Sequence, residues 1–262
     1  MAKNIKIFWW LTVMKLKRMM IFRSNVVIQA TSMVVNNAAF FIMWALLLKR
    51  FGNINGYGLK EILLIQGYVQ MLYGIFYMFF GGILKLSEYL NQDKFLDLQL
   101  FPANPLIVLL TKSASPGQFG DMAEGALFLV VYSLLTPGVV GWIVLGMVLT
   151  VGGMVGVSLL FNSLLFFAPK VQNGLETFID NIFIGASMYQ SENFKGGLRL
   201  FLTLILFIPV VSFPIEMIRG FFSPTVLVWS ILAVVGSNLA GFWLWQKGVK
   251  RVESGSSGSI TT

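Results

Sequence analysis

The chain has 262 residues, of which 56% are hydrophobic and 11% are charged, whereas soluble proteins carry roughly 25% charged residues. It contains no cysteine and no histidine, which excludes disulfides, thiol nucleophiles, Cys/His metal sites and histidine acid–base catalysis. In so apolar a chain, the net charge of +8 favours basic loops facing anionic lipid over nucleic-acid binding. Composition therefore predicts an integral membrane protein.

The first 23 residues form a basic segment that contains two tryptophans. Trp9 and Trp10 favour the headgroup level of a bilayer, and the lysines favour an anionic leaflet. We therefore predict an amphipathic interfacial helix over 1–23, with a disordered basic flank as the alternative. No small-residue cleavage site follows, so no cleavable signal peptide is expected.

Long stretches without charged side chains follow this segment and predict membrane-spanning helices. Residues 125–169 carry no charge and contain a Pro137–Gly138 turn, which indicates two helices joined as a hairpin. The fold class is therefore all-α, a polytopic membrane protein in one domain over 1–253, with a flexible Gly/Ser tail at 254–262. We predict six spans, near 25–48, 62–84, 120–135, 139–168, 198–218 and 226–245.

An even number of spans places both termini on one side of the membrane. Of the 19 Lys and Arg residues, only Lys49, Arg50, Lys60 and Arg219 fall on the other side, so the positive-inside bias predicts cytoplasmic termini. The segment 171–195 contains three carboxylates, which are costly at bilayer depth. We interpret it as interfacial, and a seventh crossing is the alternative.

The longest polar interruption, residues 85–106, separates the second and third predicted spans. Its leucines keep one apolar side, its charged residues stay in water, and Pro102 and Pro105 stop any helix. The pattern predicts a short cytoplasmic amphipathic helix that a partner could dock on. A solvated connecting loop is the alternative.

Polar residues also recur at helical spacing inside the first two spans. Amide side chains avoid lipid, so we expect both faces to meet protein or a hydrated cleft. A wall of a substrate path and simple hydrogen bonding between helices are both compatible with this pattern. The residues are Asn25, Gln29, Ser32 and Asn36 in the first span, and Gln66, Gln70, Tyr73 and Tyr77 in the second.

Three smaller features carry structural expectations. Gly152 and Gly156 have the spacing that permits close packing of membrane helices. Pro209 and Pro214 are expected to break the fifth span near the outer leaflet. Asp121 and Glu124 fall near the start of the third span, where carboxylates stabilise a helix end.

Three segments resemble a known family when they are taken together in chain order. They are DKFLDLQLFPANPL at 93–106, FIPVVSFP at 207–214 and WQKGVKRVESG at 245–255. They are similar to a poorly characterised subfamily of the permeases of type-2 ABC transporters, the second exporter class of ATP-binding-cassette transporters. The chain departs from that pattern at Phe101, where members often have Arg, and at Val252, where they have Tyr.

The resemblance implies a bacterial inner-membrane permease subunit that exports an amphipathic or hydrophobic substrate by alternating access. Because the chain has no phosphate-binding loop, ATP and Mg would be bound by partner ABC ATPase subunits, beneath two identical or paralogous permeases. No cofactor or metal site is expected here. Residues implied in ATPase coupling are Phe95, Leu96 and Leu100 as apolar anchors, Glu88, Asp93 and Asp97 at the rim, and Pro102, Asn104 and Pro105 in the turn.

Two other classes of protein stay open at this point. A secondary transporter would be expected to show inverted repeats and ion-binding groups at the membrane midplane. An intramembrane enzyme would need Asp121, Glu124 and Glu216 in one cavity, because the predicted spans contain almost no other ionisable groups.

Overall fold

The computed structural model describes residues 2–53, 56–92, 94–168, 194–221 and 223–254. These residues fold as helices joined by short turns, without a β-strand, so the predicted all-α class is confirmed. Most of the predicted interfacial segment 171–195 and of the predicted tail lies outside the described residues, as does Asp93.

Eleven α-helices are described, together with three 3-10 turns and one π-helical turn. The 3-10 turns are Met20–Phe22, Gly81–Lys85 and Leu164–Phe166, and the π-helical turn is Ile208–Ser212. In chain order the α-helices are α1 (Ala2–Met19), α2 (Arg23–Phe51), α3 (Leu59–Phe79), α4 (Leu86–Asn91), α5 (Phe95–Gln99), α6 (Pro105–Leu110), α7 (Gly117–Leu135), α8 (Val140–Ser163), α9 (Gly196–Leu204), α10 (Phe213–Ile218) and α11 (Pro224–Glu253).

Four helical stretches in the described part of the chain are long and apolar enough to cross a membrane: Lys3–Phe51, Leu59–Phe79, Val140–Phe166 and Pro224–Glu253. A fifth results if Gly196–Leu204 and Ile208–Ile218 form one span. The predicted span 120–135 is a helix, α7, but polar residues in its first half keep it out of this set. Four or five of the six predicted spans therefore correspond to helices of spanning length, and the count of six stays a prediction.

Helices α3 and α7 pack along each other in opposite directions. Gly67 of α3 lies against Leu129 of α7, and Gly74, two turns later, lies against Met122. Glycine is needed at these positions because a Cβ on Gly74 would overlap the Met122 side chain. The two helices therefore approach at nearly backbone distance.

Helix α2 completes a three-helix group with α3 and α7. It runs parallel to α7, since Ala30 contacts Gly120 and, further along, the ring of Phe41 lies 5.0 Å from that of Phe128. Most of the remaining surface of α2 is exposed. Within the described part of the chain, the rest of α2 presents an open face.

The second group pairs α8 with α11. These helices run parallel, with Gly156 against Ser237 and Gly241 against Leu160. The predicted close packing is confirmed at Gly156, where a Cβ would overlap the Ser237 side chain. At Gly152 a Cβ would make only an ordinary contact, 3.4 Å from Val234. Tyr68 of α3 joins the two groups through a 2.6 Å hydrogen bond to Thr150 of α8.

The fifth segment bends by 79° between α9 and Ile208. Leu206 adopts a φ of 69°, a left-handed conformation that is uncommon for a residue other than glycine and that ends α9. The predicted break at Pro209 and Pro214 is wrong in position, because both prolines begin helical turns, where a missing N–H costs little. The bend precedes them.

Helix α1 lies against the end of α3, as a helix separated from α2 by a break at Phe22. The ring of Phe8 stacks on Phe80 at 5.9 Å, and Lys15 donates a hydrogen bond to the carbonyl of Met78. We call this end of the bundle, with α1, α4–α6 and the last turns of α11, the basic end. Trp10 is exposed there.

Candidate functional site

The loop after α3 folds as three short helices, α4–α6, at the basic end. It begins at Gly82, where a Cβ would overlap the carbonyl of Leu109, so glycine lets the start and end of the loop touch. Asn104 caps α6 by accepting a 2.9 Å hydrogen bond from Leu106 N, and Pro105 occupies the first turn. Helix α5 therefore ends before Pro102, as predicted, and Pro105 in addition begins another helix.

Helix α5 attaches this loop to the bundle. Phe95 is only 2% exposed, and its ring lies 5.2 Å from Phe166 and 5.8 Å from Trp245. Phe166 and Trp245 are themselves 5.4 Å apart. Phe95 is thus a core residue, contrary to its expected place on the docking surface, because Phe95 and Leu98, three residues apart, share the inner face of α5.

The opposite face of α5 is open. Leu96 is 53% exposed and Leu100 is 83% exposed. Glu88, Asp97 and Pro102 are also exposed. We call the exposed residues of this loop, Glu88, Leu96, Asp97, Leu100 and Pro102, the docking face.

A second contact ties the loop to the end of α11. Gln99 donates a 3.0 Å hydrogen bond to the carboxylate of Glu253. Phe166, Trp245 and Glu253 were missed as loop contacts by the sequence interpretation, although two of them are aromatic residues at the ends of apolar runs. A displacement of the docking face would reach α8 and α11 through these three residues.

The predicted polar face of α2 is largely open. Asn25, Ser32 and Asn36 are exposed, and Gln29 is half-buried, where it accepts a 3.1 Å hydrogen bond from Ser115. Ser32 donates to a carbonyl within α2. The face does not turn toward the interior of this chain.

The predicted polar residues of α3 are turned inward. Gln66 and Gln70 are buried, and Tyr73 and Tyr77 stack on each other at 5.7 Å. The α2 and α3 sets therefore do not line one cleft within a single chain. The residue of α2 that meets the buried glutamines is Asn37, whose carbonyl accepts a 2.6 Å hydrogen bond from Gln66.

Asn37 continues this contact to α7, because its side chain donates a 2.8 Å hydrogen bond to Asp121. Asp121 and Glu124 are both buried, although the sequence predicted only helix-end roles for them. A charged carboxylate at the centre of a membrane helix costs about 2.5–3.5 kcal/mol. We define the polar cluster as Asn37, Gln66, Gln70, Asp121 and Glu124.

The third carboxylate considered for an intramembrane enzyme lies elsewhere. Glu216 is on α10, which packs against α8 and α11, and not in the polar cluster. The three carboxylates therefore do not meet in one cavity, and the enzyme alternative loses its motivation. No group of three or more Asp and Glu residues within the described ranges is placed to hold a metal ion.

Comparison with known proteins gives one match. The model of a family described as "ABC-2 family transporter protein" matches residues 34–256, which include the loop, the polar cluster and both helix groups. No curated protein and no solved structure matches the chain.

Proposed function

This chain belongs to the ABC-2 family of transporter proteins, and we propose that it is the permease subunit of an ATP-driven exporter. Membership implies an ABC ATPase as partner and a transport component that does not itself hydrolyse ATP. ATP and Mg would be held by two ATPase subunits, which close on each other when they bind nucleotide. The substrate would be amphipathic or hydrophobic and would leave the cell by alternating access.

The docking face is the observation that carries this proposal. It combines exposed Leu96 and Leu100 with the carboxylates of Glu88 and Asp97, and it is fixed from behind by the buried ring of Phe95. A helix with an apolar strip and a charged rim fits a groove on a partner. Because Phe95 contacts both α8 and α11, movement of an ATPase bound to this face would shift those helices.

Six crossings follow if α3, α8 and α11 all span the membrane. Tyr68 and Thr150 meet midway along α3 and α8, and the segments that follow these helices meet at Phe95 and Phe166. The two helices therefore run in the same direction, and the connecting helix α7 would have to return across the bilayer between them. The parallel pair α8 and α11 imposes the same return on the α9–α10 segment. The chain has no native cysteine, so maleimide labelling of single cysteines at Asn53 and Asn91, from outside and after permeabilisation, tests this topology.

Orientation follows from charge. The basic end would face the cytoplasm of a bacterial cell, with both termini inside and α1 on the inner leaflet. The exposed Asn25, Ser32 and Asn36 of α2 avoid lipid if a second permease, identical or paralogous, covers them. The substrate path would then lie between the two permeases.

The decisive experiment is purification of the tagged chain from its native membrane, with mass spectrometry to identify a copurifying ABC ATPase. We expect a stable complex, and we expect the double variant Leu96→Asp, Leu100→Asp to reduce the recovered ATPase at least tenfold, because it places charges in an apolar contact. The matched control is Leu59→Asp, which changes a half-exposed leucine at the opposite end of the bundle.

Wild-type chain that purifies without ATPase would contradict the proposal. Equal loss of ATPase in the Leu59 control would mean that the substitutions act through general unfolding. ATPase activity of the complex that responds to substrate, and vanishes in the double variant, would support coupling through the docking face.

A further inference from the structure

The polar cluster has an unusual balance of hydrogen-bond donors and acceptors. Three buried oxygens have no hydrogen-bond partner anywhere in the described chain: Oε1 of Gln66, Oε1 of Gln70 and Oε2 of Glu124. Gln70 is 7% exposed and Glu124 is 5% exposed. Each unpaired acceptor in a dry interior is costly, so the cluster lacks donors.

The two glutamines face the same junction as the carboxylates. Gln66 donates to the carbonyl of Asn37, which can only accept, so its own Oε1 stays free. Gln70, one turn along, shares this face of α3. Asp121 bonds to the side chain of Asn37, and Glu124 follows it on the same face of α7.

The residues of the polar cluster also lie at similar heights along their helices. Gly125 and Met71, which directly follow Glu124 and Gln70, are in contact, with an added Cβ on Gly125 only 2.5 Å from Met71 N. Asn37 lies halfway along α2, and Gln70 lies halfway along α3. The cluster is therefore at the middle of the three-helix group.

Among the residues that the structure describes, no basic side chain supplies the missing donors. Neither Asp121 nor Glu124 forms an ion pair with a Lys or Arg of the described residues. A proton on Glu124 would supply one O–H donor, which can pair with only one glutamine oxygen and leaves the other unpaired. An ammonium group brings three N–H donors and a positive charge, which match the three free oxygens and the acidic character of the site.

We propose that the polar cluster binds the protonated amine of the transported molecule, with Glu124 as its counter-ion and Gln66 and Gln70 as hydrogen-bond acceptors. This inference rests on the proposed transport function and narrows the substrate class to amphipathic amines. A carboxylate held in the interior without a basic partner is then stabilised by the cargo itself. Release of the amine would leave the acceptors unpaired again, which disfavours release while the site stays closed to water.

The test uses the permease–ATPase complex in nanodiscs and two fluorescent probes, dansylcadaverine and its neutral N-acetyl derivative. We expect saturable binding of the amine at pH 7 and at least tenfold weaker binding of the acetylated probe. Glu124→Gln is expected to weaken amine binding at least tenfold and to change binding of the acetylated probe less than twofold. The matched control, Glu216→Gln, removes a carboxylate outside the cluster and is expected to leave both affinities unchanged.

Gln70→Met provides a second variant of similar size in case Glu124→Gln does not fold. It removes one acceptor without removing charge, and we expect it to weaken binding of the amine alone. Equal binding of the two probes, no saturable amine binding, or equal effects of the Glu124 and Glu216 variants would overturn the proposal. Displacement of the amine by millimolar Na⁺, but not by choline, would assign the site to an inorganic cation and would also overturn it.

Failure of this inference is distinguishable from failure of the proposed function. If the complex with the ATPase does not form, the transport proposal fails first. If the complex forms and shows no amine selectivity, the chain keeps its place as a permease and only the assignment of the polar cluster is lost.

Discussion

Both helix groups of this protein pack closely through glycines, but they bury different polar groups. Glycines bring α3 to α7 and α8 to α11 at close distance. Between α8 and α11 the buried polar groups are neutral, and Asn238 donates to the carbonyls of Gly152 and Val234. The α2–α3–α7 group encloses two carboxylates as well. Close helix packing therefore does not require buried carboxylates. The two carboxylates in the α2–α3–α7 group need another explanation.

The largest expected effect comes from the α8–α11 pair. Trp245→Ala removes the ring that packs on both Phe95 and Phe166, and such a truncation costs about 3–5 kcal/mol. We expect a strong loss of thermal stability, measured on the purified protein in detergent, and no change in amine selectivity of any protein that stays folded. Trp243→Ala, at an exposed position two residues earlier, is the control and is expected to have a small effect.

An intermediate effect is expected from overpacking the same pair. Gly156→Leu places a side chain against Ser237 and Asn238, including the Asn238 backbone nitrogen, and we expect a loss of about 3 kcal/mol. The melting temperature and the size-exclusion profile would report it. Gly141→Leu, where an added Cβ meets nothing within 4 Å, is expected to behave as wild type. If both variants were equally stable, the glycine contact would not hold the pair together.

The smallest effect is expected in the polar cluster. A double-mutant cycle of Asn37→Leu and Asp121→Leu isolates their hydrogen bond, and hydrogen bonds between membrane helices average about 0.6 kcal/mol. Coupling of this size, measured by unfolding in SDS, would mean that the cluster contributes little to stability. Coupling several times larger would make the cluster a structural element and would weaken the contrast between the two groups.

Much of the helix pattern was predictable, because a charge-free run long enough to span a bilayer fits few structures other than a membrane helix. The predicted stretches 25–48, 62–84 and 139–168 correspond to α2, α3 and α8. The family resemblance at 93–106 and 245–255 is confirmed as a match over 34–256. Hydropathy and short motifs are properties of consecutive residues, so a single sequence shows both.

Lateral contacts were not predictable in this way. Phe95 and Leu96 are adjacent apolar residues, and only the position of Phe166 and Trp245 decides which of them is buried. Asn37 was missed because Asn36, beside it, fitted the helical spacing of the other polar residues. The bend at Leu206 was missed because the sequence does not indicate which leucine adopts a left-handed conformation. Pro209 and Pro214 led the sequence analysis to predict the break at the wrong position.

The bend at Leu206 also links this protein to the thickness of its membrane. From Ile208 to Ile218 the fifth segment rises only about 16 Å, roughly half of a typical hydrocarbon core. The bilayer beside it has to thin, or α9 has to sink below the headgroups. The free-energy cost of either response depends on acyl-chain length. Transport measured in lipids of increasing chain length is therefore expected to fall as hydrophobic mismatch at this segment grows.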